Sequence, residues 1–490
     1  MKKSLIWFRQ DLRIFDNPTL DCAFQNNQQI IPIFILDEEQ DFKIGSASKW
    51  FLHQALESLK NDLKKFYNID LLFFKGNSQQ ILQDLIKKYE IDSVFYNRVY
   101  EPNFIKRDIK IKADLEQKNI EVKSFNSSLL FEINSIKNTS KSFFRVFTPF
   151  ARTCLNNNEK ITKIIAKPKN LRQFKIEETQ TLDSLNLLSK KPNWATDWKN
   201  YWQVSEENAH NILDEFVQTT TYQPKVDNNS QNAPSRHKIS QYDENRNFPA
   251  ILGTTKLSAF IHYGLISVKV IFHKISFLLF SSDVGAKQFM NQILWREFSY
   301  NLLYNFPNLD KENYVTKFNN FPWQNNKTDL KRWQSGQTGY PLIDAGMRQL
   351  YQTGWMHNRV RMVVASFLTK NLLIDWRLGL KWFDDCLIDA NLANNAASWQ
   401  WVAGCGFDAA PYFRIFNPIL QSKRFDKDGN YIRKWVPELK DLNNKDIHEP
   451  FNLSEEKLKA AKIVIGKTYP KPMIGLNYSR DVALMAYKNL

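Results

Sequence analysis

The chain has 490 residues, 43% of them apolar, which is too long for one ordinary core and too hydrophobic for wholesale disorder. Lys and Arg total 67 against 51 Asp and Glu, a formal charge of +16 that suits a polyanionic partner. The four cysteines, Cys22, Cys154, Cys386 and Cys405, form no close pair or ligand cluster, so a disulfide scaffold and a metal site are not expected and a reducing cytosol fits.

Strand candidates alternate with helix patterns over the first 125 residues. Short runs rich in Ile, Val and Phe at 5–8, 30–36, 71–75, 93–97 and 120–125 read as strands. Residues 47–66 carry Leu52, Leu56, Leu59 and Leu63 on one helical face, and 81–89 and 102–118 also read as helices. This order predicts βαβ units and a parallel sheet. No GxGxxG follows the first strand, so a glycine-type dinucleotide site is not supported. Asp11, Arg13, Asp16 and Asn17 fall where parallel sheets hold ligands, although Asp16, Asn17 and Pro18 also spell a turn and helix cap. His53 reads as a helix-surface residue.

Residues 126–200 resemble a crossing between domains, with an aromatic stretch at 143–150 that packs against one of them. Residues 228–237 read as an exposed loop. From about 201 the patterns are helical, clearest at 255–263, 284–304, 341–350, 358–373 and 391–403. Neither a signal peptide nor a membrane span is expected; the apolar run 265–280 is interrupted by Ser267, Lys269, His273, Lys274 and Ser276.

Three constellations stand out in the helical half. Thr254, Thr255 and Ser258 offer hydroxyls at a helix start, which could hold a phosphate or merely cap the helix. Asn358, Arg361 and Met362 fall on one helical side with Arg359 adjacent, a density of polar groups that fits either ligand contact or a solvated face. Asn391, Asn395 and Trp399 are spaced by four and share a face, whereas Trp401 points elsewhere; Ala393, Ala396 and Ala397 keep the helix narrow, for a flat ligand or for close helix packing. No HExxH, GxSxG or phosphate loop appears, so a cofactor is expected to carry the chemistry.

An ordered set of motifs over some 400 residues resembles the photolyase and cryptochrome flavoproteins, and among them bacterial class I cyclobutane pyrimidine dimer (CPD) photolyases. The set comprises WFRQDLR at 7–13 with Asp16, Asn17 and Pro18, WREF at 295–298, GYPLID at 339–344, WMHNR at 355–359 and DAAPYFRIFNP at 408–418. The resemblance implies a Rossmann-like α/β antenna domain with a parallel sheet at 1–130, a linker at 131–200, and a large all-α FAD-binding domain at 201–490. It assigns Tyr242, Thr254, Thr255, Leu257 and Ser258 to FAD near its phosphates or ribityl chain. It places Arg361, Asp389, Asn391 and Asn395 around the isoalloxazine, with Asn395 facing the ring's reactive nitrogen. Trp399, Trp376 and Trp323 match an electron-transfer chain, and Arg246, Gln292, Trp295, Asn358, Met362 and Trp401 a pocket for a flipped-out lesion. Trp295 counts toward both cofactor and substrate. The implied activity is light-driven repair of UV-damaged DNA, in which excited reduced FAD lends an electron to the dimer, the joined bonds split and the electron returns.

Three departures qualify that expectation. Gln292 stands where CPD photolyases usually carry Glu, keeping an amide donor but no charge, and Gln here also resembles relatives acting on (6-4) lesions. Asn391 replaces a second Asp of the flavin-ring motif. In 96–104 (YNRVYEPNF), Phe104 takes the place of an acidic residue of folate-binding relatives, so methenyltetrahydrofolate, deazaflavin, another flavin or no antenna at all stay open. The alternatives are a cryptochrome-like blue-light sensor, a (6-4) photolyase, or a basic DNA-binding protein without enzymatic activity. A cytoplasmic monomer is expected.

Overall fold

The computed structural model describes residues 1–37, 43–178, 180–189, 193–218 and 238–490; the loop expected at 228–237 lies outside the described residues. In chain order the elements begin β1 (Lys3–Phe8), α1 (Pro18–Gln25), β2 (Gln29–Leu36), α2 (Ser46–Tyr67), β3 (Leu72–Lys75), α3 (Ser78–Tyr89), β4 (Ser93–Asn97), α4 (Pro102–Gln117) and β5 (Glu121–Phe125). They continue with α5 (Phe147–Asn156), the two-residue strand β6 (Arg172–Gln173), α6 (Glu206–Val217), α7 (Tyr242–Asn245), α8 (Ser258–His262), α9 (Val268–Phe280) and α10 (Val284–Asn305). Then come α11 (Lys327–Gln334), α12 (Pro341–Thr353), α13 (Asn358–Ser366), α14 (Trp376–Cys386), α15 (Leu392–Ala403), α16 (Pro418–Phe425), α17 (Asn430–Trp435), α18 (Glu455–Ala460) and α19 (Leu476–Lys488).

Packing divides the chain into two compact units, one of 1–217 with 256–307 and one of 218–255 with 308–490. In the first unit the strands run β3-β2-β1-β4-β5, all parallel, with β6 pairing the start of β2. Leu5, Trp7, Ile31, Ile33, Val94 and Tyr96 fill one face against helices α3 and α4 through Leu82, Leu85, Ile111 and Leu115. Burial on both faces explains why the strands read as continuous apolar runs. The expected α/β architecture followed by helices is therefore present.

The order of strands reverses between β1 and β4, the place where parallel sheets take ligands beyond their strand ends. Here the chain's own polar groups meet. Arg9 Nε donates to the Asn97 carbonyl (3.0 Å) and its guanidinium pairs with Asp108 (2.5 Å), while Asp11 accepts from the Arg9 amide (2.7 Å) and from Asn97 Nδ2 (2.6 Å). Asn17 caps α1 by accepting from the Thr19 amide, with Pro18 in the first turn, so the cap reading holds for that residue. Arg13 and Asp16 are fully buried and tie the β1 loop to the same unit's helical part: Arg13 donates to the Gly264 carbonyl (2.9 Å), and Asp16 receives Ser267 Oγ (2.5 Å) and pairs with Lys269 (3.1 Å). Gly264 (φ +71°) approaches so closely that a Cβ there would stand 2.2 Å from the Gln10 carbonyl oxygen.

Three local expectations need correction. His53 is buried rather than on the surface, because the inner face of α2 is wider than its leucine stripe; burial lowers its pKa. The helix expected over 255–263 shrinks to the five residues of α8, since Lys256 takes a left-handed backbone (φ 58°) that cannot continue a helix, and Leu257 rather than a threonine stands at its cap. The helix expected over 358–373 ends at Ser366 and widens into a π-type turn at Phe367–Asn371 before Leu373 (φ 50°). The aromatic stretch at 143–150 does pack: Phe150 is buried and Phe147 stacks on Trp295 at 3.8 Å between ring centroids.

Candidate flavin and nucleic-acid site

In the second unit, helices α13, α14 and α15 gather most of the residues singled out from the sequence. Asn391 is the N-cap of α15: its side chain accepts from the Asn394 amide at 3.1 Å, and its carbonyl takes the Asn395 amide at 2.8 Å. Just before it, Asp389 receives Arg361 Nη2 on both carboxylate oxygens at 3.1 and 3.0 Å. Arg361 is further held by donating from Nε to the Met356 carbonyl (2.8 Å). The Asp389 side chain is 4% exposed and that of Arg361 23%, so the pair is largely withdrawn from water and its geometry is fixed.

One turn into α15, Asn395 Nδ2 donates to Asp384 Oδ1 (2.5 Å) and to the Leu380 carbonyl (3.4 Å) on α14. Both amide hydrogens are thereby engaged, and among the described residues Oδ1 accepts no hydrogen bond. Burial pushes the Asp384 carboxyl up to about 7, with Asp310 and Asp385 adding to the rise and the Asn395 hydrogen bond opposing it. A further turn on, Trp399 is buried against Phe383 (5.0 Å between centroids) and Trp333 (6.3 Å). Trp401 is half-buried, on a different side of α15, as the spacing requires.

The residues present fit a flat polar ring. A guanidinium, two carboxylates and two amides converge at the start of α15 and the facing turns of α13 and α14, offering donors and acceptors to ring carbonyls and ring nitrogens. Alanines 393 and 396 are buried and leave no bulk at that face.

The two other indoles of the expected chain lie in the same unit. Trp376 opens α14, is fully buried and donates from Nε1 to Asn313 Oδ1 at 2.8 Å. Trp323 is half-buried beside Phe321 (4.4 Å between centroids). Burial thus declines from Trp399 and Trp376 to Trp323.

A basic cluster occupies another part of the same unit. Asn358 is exposed at the start of α13 and Met362 half-buried one turn on. Arg359 lies over the Phe425 ring (4.5 Å) and donates to Asn247, and Arg246 lies over the Tyr242 ring (5.4 Å). The Arg359 pKa is lowered first by burial and then by the charges of Arg246 and Arg424. Like charges are held together at a cost that a bound polyanion relieves. Thr254 and Thr255 also belong to this unit, beside Gly253, where a Cβ would meet the Asn245 carbonyl oxygen at 2.2 Å.

Leu257, Ser258, Gln292 and Trp295 belong to the first unit. Leu257 is buried and Ser258 exposed at the start of α8. Gln292 donates to the Gln288 carbonyl at 3.2 Å. Trp295, half-buried, has one indole face covered by Phe147 at an interplanar angle of 7°.

Sequence reasoning missed Asp384, Asn313 and Arg424. None carries a local signal: Asp384 meets Asn395 only because α14 and α15 pack side by side. Among the described residues no cluster of potential metal ligands occurs, and no helix is long and apolar enough to cross a membrane.

Residues 4–169 match the family described as DNA photolyase, and residues 289–489 match the FAD binding domain of DNA photolyase. The deoxyribodipyrimidine photo-lyase of Agrobacterium fabrum is 41% identical over 487 residues, covering 99% of this chain and 97% of that relative. Cryptochrome-2 of Arabidopsis thaliana is 32% identical over 99% of this chain and 78% of its own length. A solved bacterial class III photolyase from Agrobacterium tumefaciens superposes with a TM-score of 0.92 at 40% identity, covering 100% of this chain and 98% of that one. That relative is described as class III, whereas the motifs of this chain resemble class I enzymes, so the family is shown and the class is not.

Proposed function

This chain belongs to the photolyase and cryptochrome flavoprotein family, and on that premise we propose that it repairs cyclobutane pyrimidine dimers in DNA under light. The observation that carries the proposal is the arrangement on α15: Asn395 and Trp399 turned to the inner face, beside the Arg361–Asp389 pair, and Trp401 turned to another. One helix then serves a cofactor on one side and a substrate on the other.

FAD, when bound and reduced, supplies one electron under blue light and takes it back after the dimer has split. Arg361, Asp389, Asn391 and Asn395 would hold its ring, with Tyr242, Thr254 and Thr255 of the same unit along the phosphates or ribityl chain. Trp399, Trp376 and Trp323 would refill the flavin with electrons from the surface, outside the repair step itself. The lesion enters flipped out of the duplex, which costs less for a damaged pair than for intact bases. Trp401 stacks on it, a contact worth roughly 1–3 kcal/mol. Met362 and Asn358 bound the pocket, and Arg246 with Arg359 holds phosphates without reading sequence. No residue transfers a proton to water or forms a bond to the lesion; the chain orients and stabilises charge. An antenna chromophore, folate or deazaflavin, a cytoplasmic location and a monomeric state complete the reading.

Reduced holoprotein, given defined CPD and (6-4) oligonucleotides with and without blue light, tests it. Light-dependent return of intact bases from the CPD substrate is the expected result. Repair of the (6-4) substrate alone, which Gln292 would favour, reassigns the lesion; tight FAD binding with neither repaired supports a light sensor.

A further inference from the structure

The Asn395–Asp384 hydrogen bond sets the direction of the amide that would face the flavin. Nδ2 has two acceptors on α14, Asp384 Oδ1 at 2.5 Å and the Leu380 carbonyl at 3.4 Å, so Oδ1 is the atom presented on the opposite side. The shorter contact is to a carboxyl group and dominates; the longer is near the limit of a hydrogen bond. An ionised Asp384 can only accept, and it therefore demands Nδ2. A protonated Asp384 has a hydrogen to donate, and the acceptor within reach is Asn395 Oδ1 once the amide has turned over about its terminal torsion.

We propose that Asp384 is a positioning residue that decides, by holding or releasing one proton, whether Asn395 presents an oxygen or an N–H to the reactive nitrogen of the flavin. The inference rests on the family reading for the presence of the ring and goes beyond it in assigning the residue behind the asparagine. With Asp384 ionised, Oδ1 faces the ring and accepts from a protonated ring nitrogen. With Asp384 protonated, Nδ2 faces the ring and donates to an unprotonated one. No atom is transferred between Asp384 and the flavin; the carboxyl proton is exchanged with solvent, and only the amide turns.

Neutral pH is where such a device would work, because the carboxyl is pushed up to about 7. Burial is the main cause. The charged groups acting on it are Asp310, from the segment before α11, and Asp385, its neighbour on α14; both oppose ionisation. Its hydrogen-bond partner from α15 is the neutral Asn395. Arg361 and Asp389, paired through both carboxylate oxygens, are not among the groups acting on it.

The test follows the reduction potential of the bound flavin across about pH 6 to 8 in holoprotein without DNA, together with the infrared carbonyl band of protonated carboxyl groups over the same range. The plot of potential against pH is expected to change slope near the Asp384 midpoint, and a carboxyl band to disappear through the same range. Asp384→Asn should give a straight plot and lose the band, and Asp384→Glu should restore a break at a shifted pH. A break retained in Asp384→Asn, or a wild-type plot with none, overturns the proposal. Should Asp384→Asn fail to retain FAD, an Asp384→Glu protein whose break does not move overturns it equally. Wild-type protein unable to hold FAD overturns this inference and the family's cofactor assignment for the chain together. A protein with the break that repairs neither lesion upholds the Asp384 role and removes only the repair reading.

Discussion

The indole of Trp399 lies directly on the backbone of Gly379: a Cβ at residue 379 would stand 2.2 Å from Trp399 Cη2 and 2.6 Å from its Cζ3. Gly379 lies within α14, where glycine costs about 1 kcal/mol relative to alanine. Gly379→Ala should nevertheless destabilise the protein, because the ring is wedged against Phe383 and cannot retreat, and overpacking of this kind costs roughly 1–3 kcal/mol. A urea midpoint at or above the wild-type value would show that the indole has room to move.

Arg361→Leu would remove from the buried Asp389 the guanidinium that reaches both of its carboxylate oxygens. Breaking a fully buried pair costs about 3–5 kcal/mol; Arg361 is partly exposed, so a loss of about 1–3 kcal/mol is expected. The variant should also purify with less than half the FAD of the wild type, read from its visible absorbance. Unchanged flavin content would remove Arg361 from the cofactor site.

Trp376→Phe should separate refuelling from repair. Phenylalanine fills the buried space but oxidises poorly, and Asn313 Oδ1 loses its 2.8 Å donor at a cost of about 1 kcal/mol. Photoreduction of oxidised flavin should fall at least about tenfold, whereas protein reduced chemically beforehand should repair at the wild-type rate. Equal photoreduction in the two proteins would place the electron route elsewhere.

Trp401→Ala removes a stacking platform worth roughly 1–3 kcal/mol, so affinity for a CPD oligonucleotide should fall about 5- to 150-fold. Affinity for undamaged duplex, which rests on phosphate contacts, should hardly change, and both should weaken steeply with salt. Parallel titrations of the two DNAs at two salt concentrations decide it; equal losses on both would mean that Trp401 meets backbone and not lesion.

Glu297 ties α10 to the segment after β5 by accepting from the amides of Leu130 (3.1 Å) and Phe131 (3.4 Å), and burial pushes its carboxyl up to about 7 against the pull of Arg296. The folded protein thus keeps a proton that the unfolded chain has already released above its ordinary value of 4.5, so this group's contribution declines as pH rises from about 4.5 to about 7. Glu297→Gln cannot ionise and should lose less stability over that interval, by an amount on the order of 1–3 kcal/mol. Urea unfolding of both proteins at about pH 5 and about pH 8 measures the difference; identical pH slopes would show that Glu297 stays ionised throughout.

The parallel sheet was readable because its strands are buried on both faces and so appear as unbroken apolar runs, with amphipathic helices between them. The cap at Asn17 was readable for the same local reason, since it satisfies the amide two residues ahead, whereas Asn391, expected inside the helix on the face of Asn395, stands before it as its N-cap. Helix 255–263 misled because an ordinary lysine, Lys256, adopts a left-handed backbone that no periodicity announces. His53 misled because hydrophobic pattern marks where apolar residues go, and says little about a polar residue carried inside with them.

Chain periodicity alone determined the βαβ order, the helical second half and the opposed directions of Trp399 and Trp401, since each follows from spacing along one element. Tertiary structure decided the partners: Asp384 for Asn395, Asn313 for Trp376, Gly379 for Trp399 and Asp16 for Lys269. These contacts join elements that touch only after helices pack. Hydrogen-bond reach and burial act through space, and a linear pattern records neither.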